Sequence, residues 1–219
     1  MNSIRYRYDK DINNLIGKLR RMGKRVYMNI YFSVQSLSDK DRRHARYTIT
    51  KDKEINCFEN QINNDIIMLI TKQQPVASDL RLIMASLKIA NDLERIGDNA
   101  ANIASIRLRT PIKDHYVLKR LETMGQLSLL MLEDLNDAIK EEELALMSEI
   151  IERDSDIDDL YKNIINTTYL IDNDPFVAGQ AHLAARHLER IGDHIGNIAK
   201  NIIYFYTGDH HESYKNNLD

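Results

Sequence analysis

A chain of 219 residues with a formal net charge of −3 is long enough to bury a sizeable core, and its single cysteine, Cys57, cannot close an internal disulfide. Hydrophobic residues at 43% and charged residues at 29% exclude a disordered or collagen-like chain, and no apolar run exceeds five residues, against the roughly 20 that cross a bilayer. The small net charge hides a division: residues 1–110 carry 20 Lys and Arg against 12 Asp and Glu, or +8, whereas residues 111–219 carry 10 against 21, or −11.

Eight glycines and three prolines are too few for a chain built on hairpin turns, and the wealth of Leu, Ile, Glu, Lys and Arg favours helix throughout. The first helix is predicted over residues 8–37. The segment before it has neither the apolar stretch nor the cleavage site of a signal peptide, which leads us to expect a cytoplasmic protein with residues 1–5 loose. Ser38-Asp39-Lys40-Asp41 breaks the pattern, and a second helix is predicted over 40–72. Pro75 separates it from a third over 77–108, and Pro111 precedes a fourth over 112–139. Lys140-Glu141-Glu142-Glu143 divides the fourth from a fifth over 143–171, and Pro175 opens a sixth over 176–206. Proline serves as punctuation because it fits the first turn of a helix and not its interior. Residues 208–219 are expected to form a loose tail.

These six helices are three helices repeated. Leu93-Glu94-Arg95-Ile96-Gly97-Asp98 returns letter for letter as Leu188-Glu189-Arg190-Ile191-Gly192-Asp193, and Asn102-Ile103-Ala104 returns as Asn197-Ile198-Ala199, at an offset of 95. Earlier in each half the offset is 102: Met22-Gly23 matches Met124-Gly125, Asp52 matches Asp154, and Ile55 matches Ile157. The seven-residue difference predicts a shorter connection between the second and third helices of the second half. Two tandem three-helix units follow, one over residues 1–110 and one over 111–207. Leu80, Ile83, Met84, Leu87, Ile96, Ala100, Ile103 and Ala104 form an apolar stripe that we assign to the core. Packing explains that stripe but not the repeated charged letters.

At about 100° per residue, Glu94 and Asp98 lie about 40° apart on their helix, with Asn91 and Asn102 beside them. The matching stripe of the second half reads Arg186, Glu189, Asp193 and Asn197, and the second helix of each unit adds Asp52, Asn56, Glu59 and Asn63 or Asp154 and Asp158. Like charges four residues apart destabilise an isolated helix by a few tenths of a kcal/mol, a cost that a cation between the stripes would offset. Carboxylate and amide oxygens without cysteine suit hard or intermediate ions such as Mg²⁺, Mn²⁺, Fe or Ca²⁺. The competing reading is ordinary surface ion pairing by Lys88, Arg95 and Arg190. Gly97 and Gly192, mid-helix where glycine costs about 1 kcal/mol, point to close helix approach. Cys57 reads as a small buried or half-buried filler, and Asp41-Arg42-Arg43-His44 and His210-His211 as bystanders.

At these residues the chain resembles the PhoU family of phosphate-transport regulators. The resemblance runs from Asp9 through Met22-Gly23, Gln73-Gln74-Pro75-Val76-Ala77-Ser78-Asp79-Leu80-Arg81 and Asn91-Asp92-Leu93-Glu94-Arg95-Ile96-Gly97-Asp98 to Ala185-Arg186-His187-Leu188-Glu189-Arg190-Ile191-Gly192-Asp193-His194. It implies an all-α fold of two pseudo-symmetric three-helix bundles, a cytoplasmic homodimer, and in some members multinuclear metal binding through Glu/Asp-x-x-x-Asp motifs. Here those motifs are Glu94 to Asp98, Glu189 to Asp193 and Asp154 to Asp158, with Asp52 from the incomplete Asp52-x-x-x-Asn56; the metal would be divalent or trivalent Fe, Mn, Mg or Zn. Asn99 stands where the second half has His194.

The resemblance further implies a non-enzymatic restraint on phosphate uptake and the phosphate-starvation response, exerted through the transporter ATPase subunit and a membrane sensor histidine kinase, with only indirect membrane contact. The alternatives are a metal-dependent hydrolase and an anion- or nucleic-acid-binding protein using the basic first half. No glycine-rich phosphate loop supports the former. No aromatic platform alternates with Arg20-Arg21, Lys24-Arg25, Arg42-Arg43 and Arg46 to support single-strand binding, so no nucleic-acid partner is expected.

Overall fold

The computed structural model describes residues 2–39, 41–73, 75–171, 174–209 and 211. The predicted breaks at Lys40, Gln74 and Asp172-Asn173, and the tail at His210 and residues 212–219, lie outside the described residues. Among the described residues six helices follow one another: α1 (Asn2–Ser38), α2 (Arg43–Gln73), α3 (Ala77–Arg109), α4 (His115–Glu141), α5 (Leu144–Ile171) and α6 (Pro175–Thr207). Among the described residues there is no strand.

Each helix forms around an apolar stripe that one turn cannot bury alone. On α1 the stripe is Met22, Val26, Ile30, Val34 and Leu37; on α4 it is Leu121, Met124, Met131, Leu135 and Ala138, all buried. The three- and four-residue spacing holds each set on one face, and each large side chain removed from water contributes roughly 1.5 to 3 kcal/mol before entropy is counted. Asp114 ends the fourth helix's approach by accepting hydrogen bonds from the backbone N–H of Tyr116 and Val117, both at 2.9 Å. That cap starts α4 at His115, three residues later than its proline predicted. Asp174 caps α6 in the same way with Pro175 in the first turn, and Gly208, at φ 80°, closes the other end. Glu142 takes a left-handed conformation, φ 56°, between α4 and α5.

Three expectations need correction. Residues 2–5 continue α1 rather than standing loose, because nothing between Asn2 and Gly17 breaks the helix and Tyr8 and Ile12 pack against the core. The connections from α2 to α3 and from α5 to α6 are equally long at three residues. The seven-residue difference is therefore taken up by extra helix at the end of α2 and the start of α3. Of the residues assigned to the core, Leu80 and Met84 are 40% and 39% exposed. Their neighbour Arg81 lies against Gly208, just past the last residue of α6.

The two units pack about a pseudo-twofold axis. Within them α1, α2 and α3 contact one another, as do α5 with α4 and α6; between them α3 lies on α6 and α1 on α4. Asn99 and His194 are equivalent positions, as are Asp92 and His187, and the structure pairs them crosswise: Asn99 with His187 at 2.8 Å, Asp92 with His194 at 3.0 Å. The first is an amide-imidazole contact and the second an ion pair when His194 is protonated. At the other contact Tyr27 of α1 donates to Glu133 of α4, and Ser38 donates to Glu122. Here Gly125 is required: a Cβ on it would lie 2.4 Å from Cγ2 of Val34.

Candidate functional site

Gly97 and Gly192 carry the local logic of the carboxylate stripes. A Cβ at Gly97 would lie 2.9 Å from Cδ1 of Ile55 and 3.2 Å from Oδ1 of Asp52; at Gly192 it would lie 2.9 Å from Cδ1 of Ile157 and 2.6 Å from Oδ1 of Asp154. The missing side chains let α2 approach α3, and α5 approach α6, closely enough to press an aspartate of one helix onto the acidic stripe of the next. Both Asp52 Oδ1 and Asp154 Oδ1 are shut away from water with no donor, as are the side-chain oxygens of Asn56 and Asn63. Buried oxygens of this kind are rare unless something satisfies them, a proton or a cation among the candidates.

The electrostatics agree between the units. Burial, then repulsion from Asp98, pushes Asp52 from its ordinary 3.8 up to about 6. Burial, then Asp193 and Asp158, pushes Asp154 up to about 7, against a small opposing pull from Lys200. Glu94 and Glu189 are also raised by burial first, then by Asp98 and Asp193 respectively. Asp154 and Asp193 are close enough to share a hydrogen bond, which two carboxyl groups make only when one keeps its proton.

All seven carboxylates predicted from the sequence thus fall into two groups: Asp52, Glu94 and Asp98 in the first unit, and Asp154, Asp158, Glu189 and Asp193 in the second. Glu59 shares the acidic stripe of α2 and belongs with these groups, although it is not among the seven. Its charge reaches Glu94, and its Oε1 accepts from Asn63 at 3.4 Å, so the first unit also has four carboxylates. Sequence comparison of the halves hides this residue, because its equivalent is Tyr161, which accepts a hydrogen bond from Arg186 at 3.4 Å. Arg186 holds positive charge against Glu189 where the first unit has neutral Asn91. The loss of a carboxylate at Asn56 is therefore matched by Glu59, and the second unit's acidity is tempered by Arg186.

The ion-pair reading holds in part. Arg95 lies 3.6 Å from Glu94 and 4.0 Å from Asp98, long contacts on an exposed side chain, whereas Lys88 turns to the ring of Tyr204. The donor chemistry fits a hard or intermediate cation, and the orphaned Asp52 and Asp154 oxygens mark where one would be satisfied. As the side chains stand, no three His, Cys, Asp or Glu groups among the described residues converge on one point, so a cation would have to draw them in. Cys57 is exposed on α2, not a filler. His44 pairs with Asp39 and Asp41 with Arg43, which leaves that segment a bystander.

The PhoU domain profile matches this chain twice, over residues 19–106 and 121–202. The PhoU homolog of the phosphate-specific transport system of Clostridium acetobutylicum is 36% identical over 207 residues, covering 92% of this chain and 94% of that protein. The PhoU accessory protein of Escherichia coli K12 is 30% identical over 206 residues, covering 92% and 86%. The crystal structure of the phosphate transport system regulatory protein PhoU from Streptococcus pneumoniae superposes with a TM-score of 0.82 at 30% identity, covering 92% of this chain and 98% of that one. With both repeats matched and the same architecture in solved relatives, this chain belongs to the PhoU family.

Proposed function

We propose that this chain is a cytoplasmic, non-enzymatic regulator that restrains phosphate uptake and the phosphate-starvation response when phosphate is ample. The observation that carries this reading is the double PhoU match over residues 19–106 and 121–202, together with relatives described as accessory proteins of phosphate-specific transport. On this reading it works as a homodimer that docks on the transporter's ATPase subunit and on a sensor histidine kinase. No helix among the described residues is long and apolar enough to cross a membrane, which fits contact with the membrane through partners. Metal, as divalent or trivalent Fe, Mn, Mg or Zn, would be held by Asp52, Glu94 and Asp98 with Glu59, and by Asp154, Asp158, Glu189 and Asp193. Its charge would stabilise carboxylates that burial and mutual repulsion otherwise drive to keep protons.

The charge division supplies the docking chemistry. Arg20, Arg21 and Lys24 are exposed on α1, whereas Arg25 is engaged with Glu54 at 3.0 Å. Surfaces of opposite sign on the two halves would steer complementary partners and make association sensitive to salt. The test is capture of the native ATPase subunit by the purified chain. Reversing Arg20, Arg21 and Lys24 to Glu should weaken capture while leaving the helical fold intact, since exposed substitutions shift stability by about 0.5 kcal/mol or less each. Undiminished capture by that variant would remove this surface from the reading.

A further inference from the structure

A cleft of about 500 Å³ straddles the pseudo-twofold axis where α3 lies on α6. Arg95 and Arg190, equivalent residues of the two repeats, both line it, as do their neighbours Asp98 and Asp193. Further along the same walls stand Asn102 and Asn197. The repeated Leu-Glu-Arg-Ile-Gly-Asp stretch therefore brings two guanidinium groups to one polar space, although nothing in the packing of either three-helix unit alone requires it.

The donors in this space are largely uncommitted. Arg95 reaches its own carboxylates only at 3.6 and 4.0 Å, beyond the usual length of a charge-assisted hydrogen bond. The charge of Arg190 is felt by Glu189 and His187 but closes no ion pair among the described residues, and Asn102 and Asn197 make no side-chain hydrogen bond there. The wall behind them is fixed: Asn99 donates to the backbone carbonyl of Arg95 at 2.7 Å and is paired to His187. His194 is tied to Asp92, which also accepts from Asn201 at 3.4 Å. Planar, five-donor guanidinium groups on two sides of a wet cleft, with amide donors beyond them, match the oxygens of a small tetrahedral anion.

We propose that this cleft binds a tetrahedral oxyanion between Arg95 and Arg190. The choice of inorganic phosphate as that anion rests on the family reading above; the anion chemistry rests on the two arginines. Asp98 and Asp193 oppose the anion by charge, so a divalent cation held on the carboxylate stripes tightens its binding. One ligand gripping α3 and α6 at once also ties the repeats together, which gives a regulator a direct way to register phosphate.

The experiment is calorimetric titration of inorganic phosphate into the purified full chain at pH 7, first with chelator and then with Mg²⁺, with Mg²⁺ alone as a separate titration. Saturable phosphate binding is expected, tighter by about tenfold or more in Mg²⁺. The Arg95→Gln, Arg190→Gln double variant should lose about tenfold or more in affinity while keeping the helical circular dichroism of the parent, and Arg→Lys at both positions should fall between. Absence of saturable phosphate heat in both conditions, or equal affinity in the double Gln variant, overturns the proposal. Phosphate heat without any Mg²⁺ heat supports the cleft and counts against the metal sites instead.

Discussion

Asp154 gives the carboxylate site a measurable signature before any metal is added. Its carboxyl is raised by burial, Asp193 and Asp158 from 3.8 to about 7, so between those values the folded state binds more protons than the unfolded chain. Stability from this group is fully present below pH 3.8 and is lost as pH rises through about 7, the reverse of a salt-bridged aspartate. Fully expressed, a shift of this size is worth about 4 kcal/mol. The carboxyl is only half-buried and water screens it, so about half that, ~2 kcal/mol, is the reasonable expectation. For a chain of 219 residues each kcal/mol moves Tm by roughly 2 to 4 °C, and since part of the loss falls between pH 3.8 and 5, about 1.3 kcal/mol is lost between pH 5 and 8 and Asp154 should lower Tm by about 3 to 5 °C there. Asp52, raised to about 6, acts in the same direction over a lower window. Asp154→Asn replaces the carboxyl with a group that stays neutral, so it should flatten the decline and exceed the parent in Tm at pH 8. The assay is thermal melting followed by circular dichroism, in chelator, at half-unit steps of pH. Parallel declines in parent and variant, or a parent Tm that rises from pH 5 to 8, would refute the reasoning.

Gly125→Ala should destabilise the protein by about 1 to 3 kcal/mol by overpacking against Val34, where the added methyl would stand 2.4 Å from Cγ2; denaturant melts of Gly125→Ala, Val34→Ala and the double variant should show a coupling of about 0.5 kcal/mol or more. Elemental analysis of protein purified without chelator should find less bound metal in Glu189→Ala and Asp193→Ala, and also in Glu59→Gln; unchanged content in all three would remove the metal sites.

What the sequence displays well is whatever repeats in register. Leu93 to Asp98 recurs without change, so the two units and their acidic stripes are visible before any coordinates. Gly97 and Gly192 are legible for the same reason, since a mid-helix glycine carries a cost that close approach explains. Glu59 is not, because its equivalent is a tyrosine and its closeness to Glu94 depends on how α2 leans on α3. The cleft between Arg95 and Arg190 is invisible for a larger reason: it belongs to the way one repeat packs on the other, which hydrophobic periodicity within a helix does not specify. Leu80 and Met84 obey that periodicity and are still exposed, because the period sets which face of α3 they share and not whether another helix covers it.

The central claim concerns restraint of phosphate uptake, and it is tested most directly in the native host. In a strain lacking this chain and grown in ample phosphate, phosphate uptake and starvation-responsive expression should remain switched on, and restoring the intact chain should repress both. Normal repression in the deletion strain would contradict the account.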